Sequence, residues 1–270
     1  MNVLDLDDES TWPVELQSFL RERLDMLRAY EQHERDVIDR KLAGDRTMSY
    51  AHPPTRTTRH VSMCFWRQTR GLMELSLLGY HCTRLHDDEI ESIYGGGLRP
   101  LSAELARDRV QRRVEAKDLS TEVVQRVLAK SRTKERDGER RTGMLWFLFT
   151  AESLRNEGGL ELFFRLWGGE ALYFPHHEDP EIAPILTHLG TACIVQAAVP
   201  ARAIQTGGSV GERLVRCFLH RRGVRMGERP GWEGWIAESV PGEGIQRVIR
   251  RSDADFERLT ACGSWEDMVT

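Results

Sequence analysis

The chain has 270 residues, 40% hydrophobic and 30% charged, with a formal net charge of −4, which suits one large globular domain or a domain with a sizeable extension. The negative balance excludes a protein that holds nucleic acid by its overall charge and leaves only local basic patches, and no run approaches the ~20 apolar residues of a membrane-spanning helix. Five cysteines (Cys64, Cys82, Cys193, Cys217 and Cys262) fall without a Cys-x-x-Cys pair, pointing to reduced thiols and away from a zinc knuckle or a disulfide framework.

The N-terminal MNVLDLDDES is acidic and lacks the basic and apolar regions of a secretion signal, so a cytoplasmic protein without membrane partners is expected. Leu16, Leu20, Leu24 and Leu27 recur at helical spacing between Pro13 and Gly44, predicting one long helix over 13–43 that packs outside the sheets. Residues 45–60, with Pro53-Pro54 and several threonines, read as a linker. Residues 61–80 are apolar and lead into His81-Cys82-Thr83.

The text from His81 to Pro100 is HCTRLHDDEIESIYGGGLRP. It predicts a strand ending at His-x-Thr and a short helix opened by Asp87 and Asp88, good acceptors for the first orphan amides. Gly95, Gly96 and Gly97 stop that helix. Ser102 and Ser120 are expected caps of two charged helices within 103–141, and the SRTKERDGERR text after Lys130 reads as a polar loop. GMLWFLFT, from Gly143 to Thr150, is short enough for a buried strand. Leu160, Phe163, Phe164 and Trp167 follow on a helical period closed by Gly168-Gly169, with Ala171–Phe174 extended. A short helix in HHEDPEIAPILTHL, a strand over 193–200, a basic helix over 210–222, a strand in WEGWIAESVPGEGI and a C-terminal helix from Ser252 complete the chain. Strands and helices alternate irregularly, which predicts an α+β fold rather than a doubly wound sheet. Neither a Gly-x-Gly-x-x-Gly fingerprint nor a Gly-x-x-x-x-Gly-Lys phosphate loop is present.

Three of these stretches together resemble the ADP-ribosyltransferase superfamily, in the branch of diphtheria toxin and the poly(ADP-ribose) polymerases. The first is His81-Cys82-Thr83 with its capped helix and Gly97-Leu98-Arg99-Pro100; the second is GMLWFLFT with the aromatics after it. The third is Glu233-Gly234-Trp235-Ile236 followed by Val240-Pro241 and Ile245. The style is nearest to the DNA-modifying toxins and the tRNA 2′-phosphotransferases of that superfamily. The resemblance implies a split β-sheet core over 61–270, with 1–60 as a helical extension and linker. It implies NAD as substrate and no metal. His81 and Thr83 would hold the NAD, with Arg84 beside them, and one of Phe149, Trp167 and Tyr173 would stack on nicotinamide, whose flat cationic ring suits an aromatic face. Glu233 would be catalytic together with His81, orienting the ribose 2′-hydroxyl and stabilising the charge that grows as nicotinamide leaves. It would also serve as base toward the acceptor. Glu238 and Glu243 compete with it for that role.

The activity implied is transfer of ADP-ribose to a macromolecule, nucleic acid first and protein second. Toxins and anti-phage effectors commonly have this activity, and an antitoxin partner goes with that setting. Two alternatives stand beside it: RNA 2′-phosphate transfer on the same fold, for which Arg84 and Arg99 are the basic groups near the first motif, and an inactive binding module. His176-His177-Glu178-Asp179 has metal-capable side chains, but adjacent turn residues rarely converge on one ion, and Cys82, without an orienting partner, reads as a buried thiol.

Overall fold

The computed structural model describes residues 3–44, 74–134, 141–207, 209–225 and 231–265. The chain begins with a two-residue strand, β1 (Val3–Leu4), and an acidic turn in which the Asp8 carboxylate accepts from Ser10 N. Helices α1 (Val14–Glu22) and α2 (Leu24–Leu42) follow. The single helix expected here is broken at Arg23, whose backbone leaves helical geometry at φ −111°, ψ 11°. The apolar stripe carries through the break, with Leu16, Leu20 and Leu27 buried, so periodicity alone does not mark it. The expected Pro-Pro linker and the apolar stretch to residue 73 lie outside the described residues.

Strand β2 (Ser76–Leu85) runs two residues past the His-x-Thr motif before α3 (Asp87–Gly96). The residue at the cap of α3 is His86, one before the expected aspartates, and Glu89 reaches back to accept from His86 N at 2.9 Å, closing a reciprocal cap. Ser102 and Ser120 do cap α4 (Ala103–Glu115) and α5 (Thr121–Ala129). Beyond residue 140 come β3 (Leu145–Leu148), a single turn α6 (Ala151–Leu154) capped by the Thr150 hydroxyl, and α7 (Glu157–Arg165). The segment expected to be extended at Ala171–Phe174 is instead the helical turn α8 (Glu170–Tyr173). Gly169, at φ +70°, reverses the chain so that Leu172 N and Tyr173 N both reach its carbonyl. Helix α9 (Ile182–His188), strand β4 (Thr191–Pro200), helix α10 (Val210–His220) and strand β5 (Glu233–Ile236) follow the expected order. The turn at Val240-Pro241 then feeds one more strand, β6 (Ile245–Arg250), before α11 (Ala254–Thr260).

These strands form one sheet in the order β5-β3-β2-β4-β6, with β1 added to β2. All pairs are antiparallel except β1 with β2. The result is a mixed helical and antiparallel-sheet architecture of the α+β class. Helices cover both faces. One face of the sheet packs on α1, α2 and α10, the other on α7 and α11, and a third cluster joins α4, α5, α8 and α9. Among the described residues no helix is long and apolar enough to cross a membrane.

Two motif segments meet directly. Leu98 N donates to Val240 O at 2.8 Å and Val240 N to Leu98 O at 2.9 Å, so the Gly-Leu-x-Pro turn pairs with the Val-Pro turn. Gly97 sits at φ +83°, and a Cβ there would collide with the Val240 carbonyl and the Pro241 backbone. Glycine is required for both reasons. Gly97→Ala should therefore destabilise the protein by more than ~1 kcal/mol, read as a lower urea midpoint with an unchanged slope.

Candidate active site

The site forms where the sheet parts. β2 pairs with β4 along all ten of its residues. Its other edge takes β1 at Ser76 and Leu77 and β3 at the single pair Tyr80↔Leu148. From His81 onward β3 diverges, and the gap is bridged by the His81 Nδ1 to Trp146 O hydrogen bond, 2.9 Å. The carbonyl is an acceptor only, so Nδ1 carries the hydrogen and Nε2 keeps its lone pair. Burial, with Arg109 adding to it, lowers the His81 pKa against the pull of the Trp146 carbonyl, which favours the neutral ring.

A cavity of about 230 Å³ opens at this parting, with Tyr80 and His81 of β2, Trp146 and Phe147 of β3, Phe163 of α7 and Glu233 of β5 among its walls. His81 and Glu233, distant in sequence, thus line one space. Glu233 reaches it because β5 pairs with β3 in the register Leu148↔Glu233 and Trp146↔Trp235, and directly paired residues point to one side of a sheet. Its strand is anchored on both flanks. Trp232 N donates to Ser153 Oγ at 2.9 Å and Phe149 N to Trp232 O at 2.9 Å, while Thr206 Oγ1 donates to Glu233 O at 2.8 Å. Glu233 also borders an open groove of about 380 Å³ shared with Glu152, Arg155 and Asn156. Glu238 lies past the end of β5 in an exposed bend, and Glu243 is exposed in the turn before β6.

The other expected site residues are placed differently. Thr83 opens into a second, smaller cavity on the far side of His81. Arg84 is committed to structure: its guanidinium donates to the carbonyls of Leu189, Phe164, Thr187 and Gly190 at 2.7–2.9 Å, spending four of its five N–H groups on the backbone. Phe149, Trp167 and Tyr173 do not stack on anything in the cavity; at 0%, 0% and 2% exposure they are core. Phe149 packs on Trp232 at 4.7 Å, Trp167 Nε1 donates to Glu89 at 3.0 Å, and Tyr173 meets the edge of Phe163 at 5.4 Å. The aromatics that do face the cavity are Trp146 and Phe163. Trp146 was findable once the β3–β5 register was known, since it shares Glu233's face while Phe147 and Phe149 take the other. Arg141 stands over the Trp146 ring at 4.3 Å.

Cys82 is buried and its thiol pKa is pushed far up by that burial, which leaves no nucleophile there. His176 and His177 each turn a ring nitrogen to a backbone carbonyl, of Val127 and Phe174. No known protein-family model, curated protein or solved structure matches the chain.

Behind His81, Glu89 ties α3 to α4. Burial opposes its charge, yet Arg109 at 2.6 Å, Trp167 Nε1 and His86 N hold its pKa down at about 2. A folded-state pKa below the free value of 4.5 means stability that is present above 4.5 and lost as pH falls toward about 2. Wild-type unfolding free energy should therefore drop with acid across that window more steeply than that of Glu89→Gln, measured by urea titration at a series of pH values.

Proposed function

We propose that the chain is an NAD-dependent ADP-ribosyltransferase. The observation that carries this reading is that His81, from the gap between β2 and β3, and Glu233, from the Tyr80 face, line one aromatic-walled cavity at the parting of the sheet. The resemblance of the three sequence motifs points the same way, and so does the pairing of the Gly-Leu-x-Pro and Val-Pro turns. An inactive binding module would have no need of a carboxylate at the mouth of such a cavity.

In this reading the nicotinamide ring enters the larger cavity between Trp146 and Phe163. The lone pair on His81 Nε2 accepts a hydrogen bond from a ribose hydroxyl, an interaction that a neutral ring provides and a protonated one does not. Glu233 accepts from the ribose 2′-hydroxyl and faces the positive charge that develops as the bond from ribose C1 to nicotinamide breaks. Nicotinamide leaves neutral, taking the bonding pair. The acceptor approaches through the open groove beside Glu233, attacks C1, and gives its proton to the carboxylate. Nucleic acid is the acceptor proposed first and protein second, on the strength of the resemblance; the Arg155 guanidinium, with no partner among the described residues, and the Asn156 amide in the groove offer groups for either.

The test is nicotinamide release from NAD, followed by transfer of labelled ADP-ribose to separate pools of DNA, RNA and protein. Glu233→Gln should retain NAD binding and lower single-turnover transfer by roughly 10²-fold or more, while Glu238→Gln keeps most activity. No nicotinamide release by the wild type, or the reverse ranking of the two glutamates, would sink the assignment.

His81→Ala should leave the fold intact and weaken NAD by about 0.5–1.5 kcal/mol, the worth of one hydrogen bond to a neutral group. Equal affinities in calorimetry would remove His81 from the site.

A further inference from the structure

His81 is a wall shared by two cavities, and the second has a different chemistry. It measures about 110 Å³ and lies between His81 and Thr83 of β2, the inner side of α3, Arg99 and one face of α4. That face is Leu105, Asp108, Arg109 and Arg112, the i, i+3, i+4, i+7 set of a helix. Three arginines therefore look into the space, against the carboxylates of Glu89 and Asp108.

Arg109 is already neutralised by Glu89 at 2.6 Å and also donates to Arg84 O at 3.1 Å. Arg99 and Arg112 make no ion pair or hydrogen bond among the described residues, so two free guanidinium groups face the single carboxylate of Asp108. Two hydroxyls accompany them. Thr83 is 5% exposed, and its hydroxyl makes one long bond, 3.4 Å, to Arg84 O; the Ser92 hydroxyl has no hydrogen bond among the described residues. The buried Thr83 hydroxyl and the Ser92 hydroxyl at the exposed rim, beside arginines with no partner among the described residues, fit a compact, multiply charged oxyanion, because a guanidinium fork matches phosphate oxygens two at a time. A space this small suits such a group better than the extended backbone of a duplex.

We propose that this second cavity seats the phosphate groups of a nucleoside diphosphate, with Arg99 and Arg112 as its charged ligands and Thr83 and Ser92 as hydroxyl donors. The inference rests on the transferase reading in one respect: there the same nucleotide spans His81, its ring in the larger cavity and its phosphates in the smaller. Glu89 is then a positioning residue, since it holds Arg109 back and leaves Arg99 and Arg112 to the ligand.

The experiment is calorimetric titration of the full chain with inorganic pyrophosphate and with ADP, neither of which carries a nicotinamide. Wild type should bind both. Arg99→Gln and Arg112→Gln, which remove no partner from any other described residue, should each weaken binding about tenfold or more, as expected for a lost charge-assisted bond, at an unchanged melting temperature. Glu233→Gln, in the other cavity, should bind pyrophosphate as wild type does. Absence of pyrophosphate and ADP binding, or wild-type affinity in both arginine variants, overturns the subsite. The two readings fail separately. Pyrophosphate binding that depends on Arg112 in a protein releasing no nicotinamide keeps the subsite and discards the transfer. Nicotinamide release with a KM for NAD untouched by Arg112→Gln does the reverse.

Discussion

Strand β2 has two edges, and their unequal use shapes everything around the site. One edge is fully consumed by the ten-residue ladder with β4. The other gives two residues to β1 and one to β3, and then no strand partner among the described residues. A strand half-released in this way exposes backbone and side chain at His81 while its other edge keeps it rigid. Ligand-binding groups held on a regular element are more accurately placed than groups on a loop. The two cavities are the two sides of that release, and His81 stands between them with one ring nitrogen spent on bridging the gap.

Much of the fold was legible because local signals agreed with one another. The serine caps, the glycine stop after α3 and the short apolar runs of β3 and β4 all lie where their chemistry predicts. The break at Arg23 was not legible, since the leucine stripe runs through it, nor was the turn at Ala171–Phe174, where the choice depends on where Gly169 directs the chain. For the site, His81 and Glu233 were reachable from motif resemblance. The aromatic walls of the cavity were not, because Phe149, Trp167 and Tyr173 are chemically as apt as Trp146 and Phe163. What separates them is burial, which depends on strand register and helix packing and has no local signature.

Charge tells a similar story. Arg84 and Arg112 are the same residue type near the same motif, yet one clamps four carbonyls and the other has no side-chain partner among the described residues. The clamp is needed because the chain bends between α9 and β4, leaving carbonyls at Thr187, Leu189 and Gly190 that a buried donor must satisfy. Arginine supplies five N–H groups in a fixed fork, and a lysine there would leave at least one carbonyl without a donor. The spent cation and the free ones differ in what surrounds them, which composition cannot express.

The short strand β1 has a consequence for how the chain avoids other chains. An unpaired edge of a long apolar strand is a template for foreign strands. β1 occupies the start of the open edge of β2, and β3 takes it up at Tyr80. Asp7, just past β1, accepts from Ala151 N at 2.5 Å, and Arg221 donates to Leu6 O, so the plug is tied down at more than one point. Two residues of strand thus guard the apolar start of β2, and what stays open beyond Tyr80 is the polar part, His81 and Thr83, which a stray apolar strand has little reason to pair with.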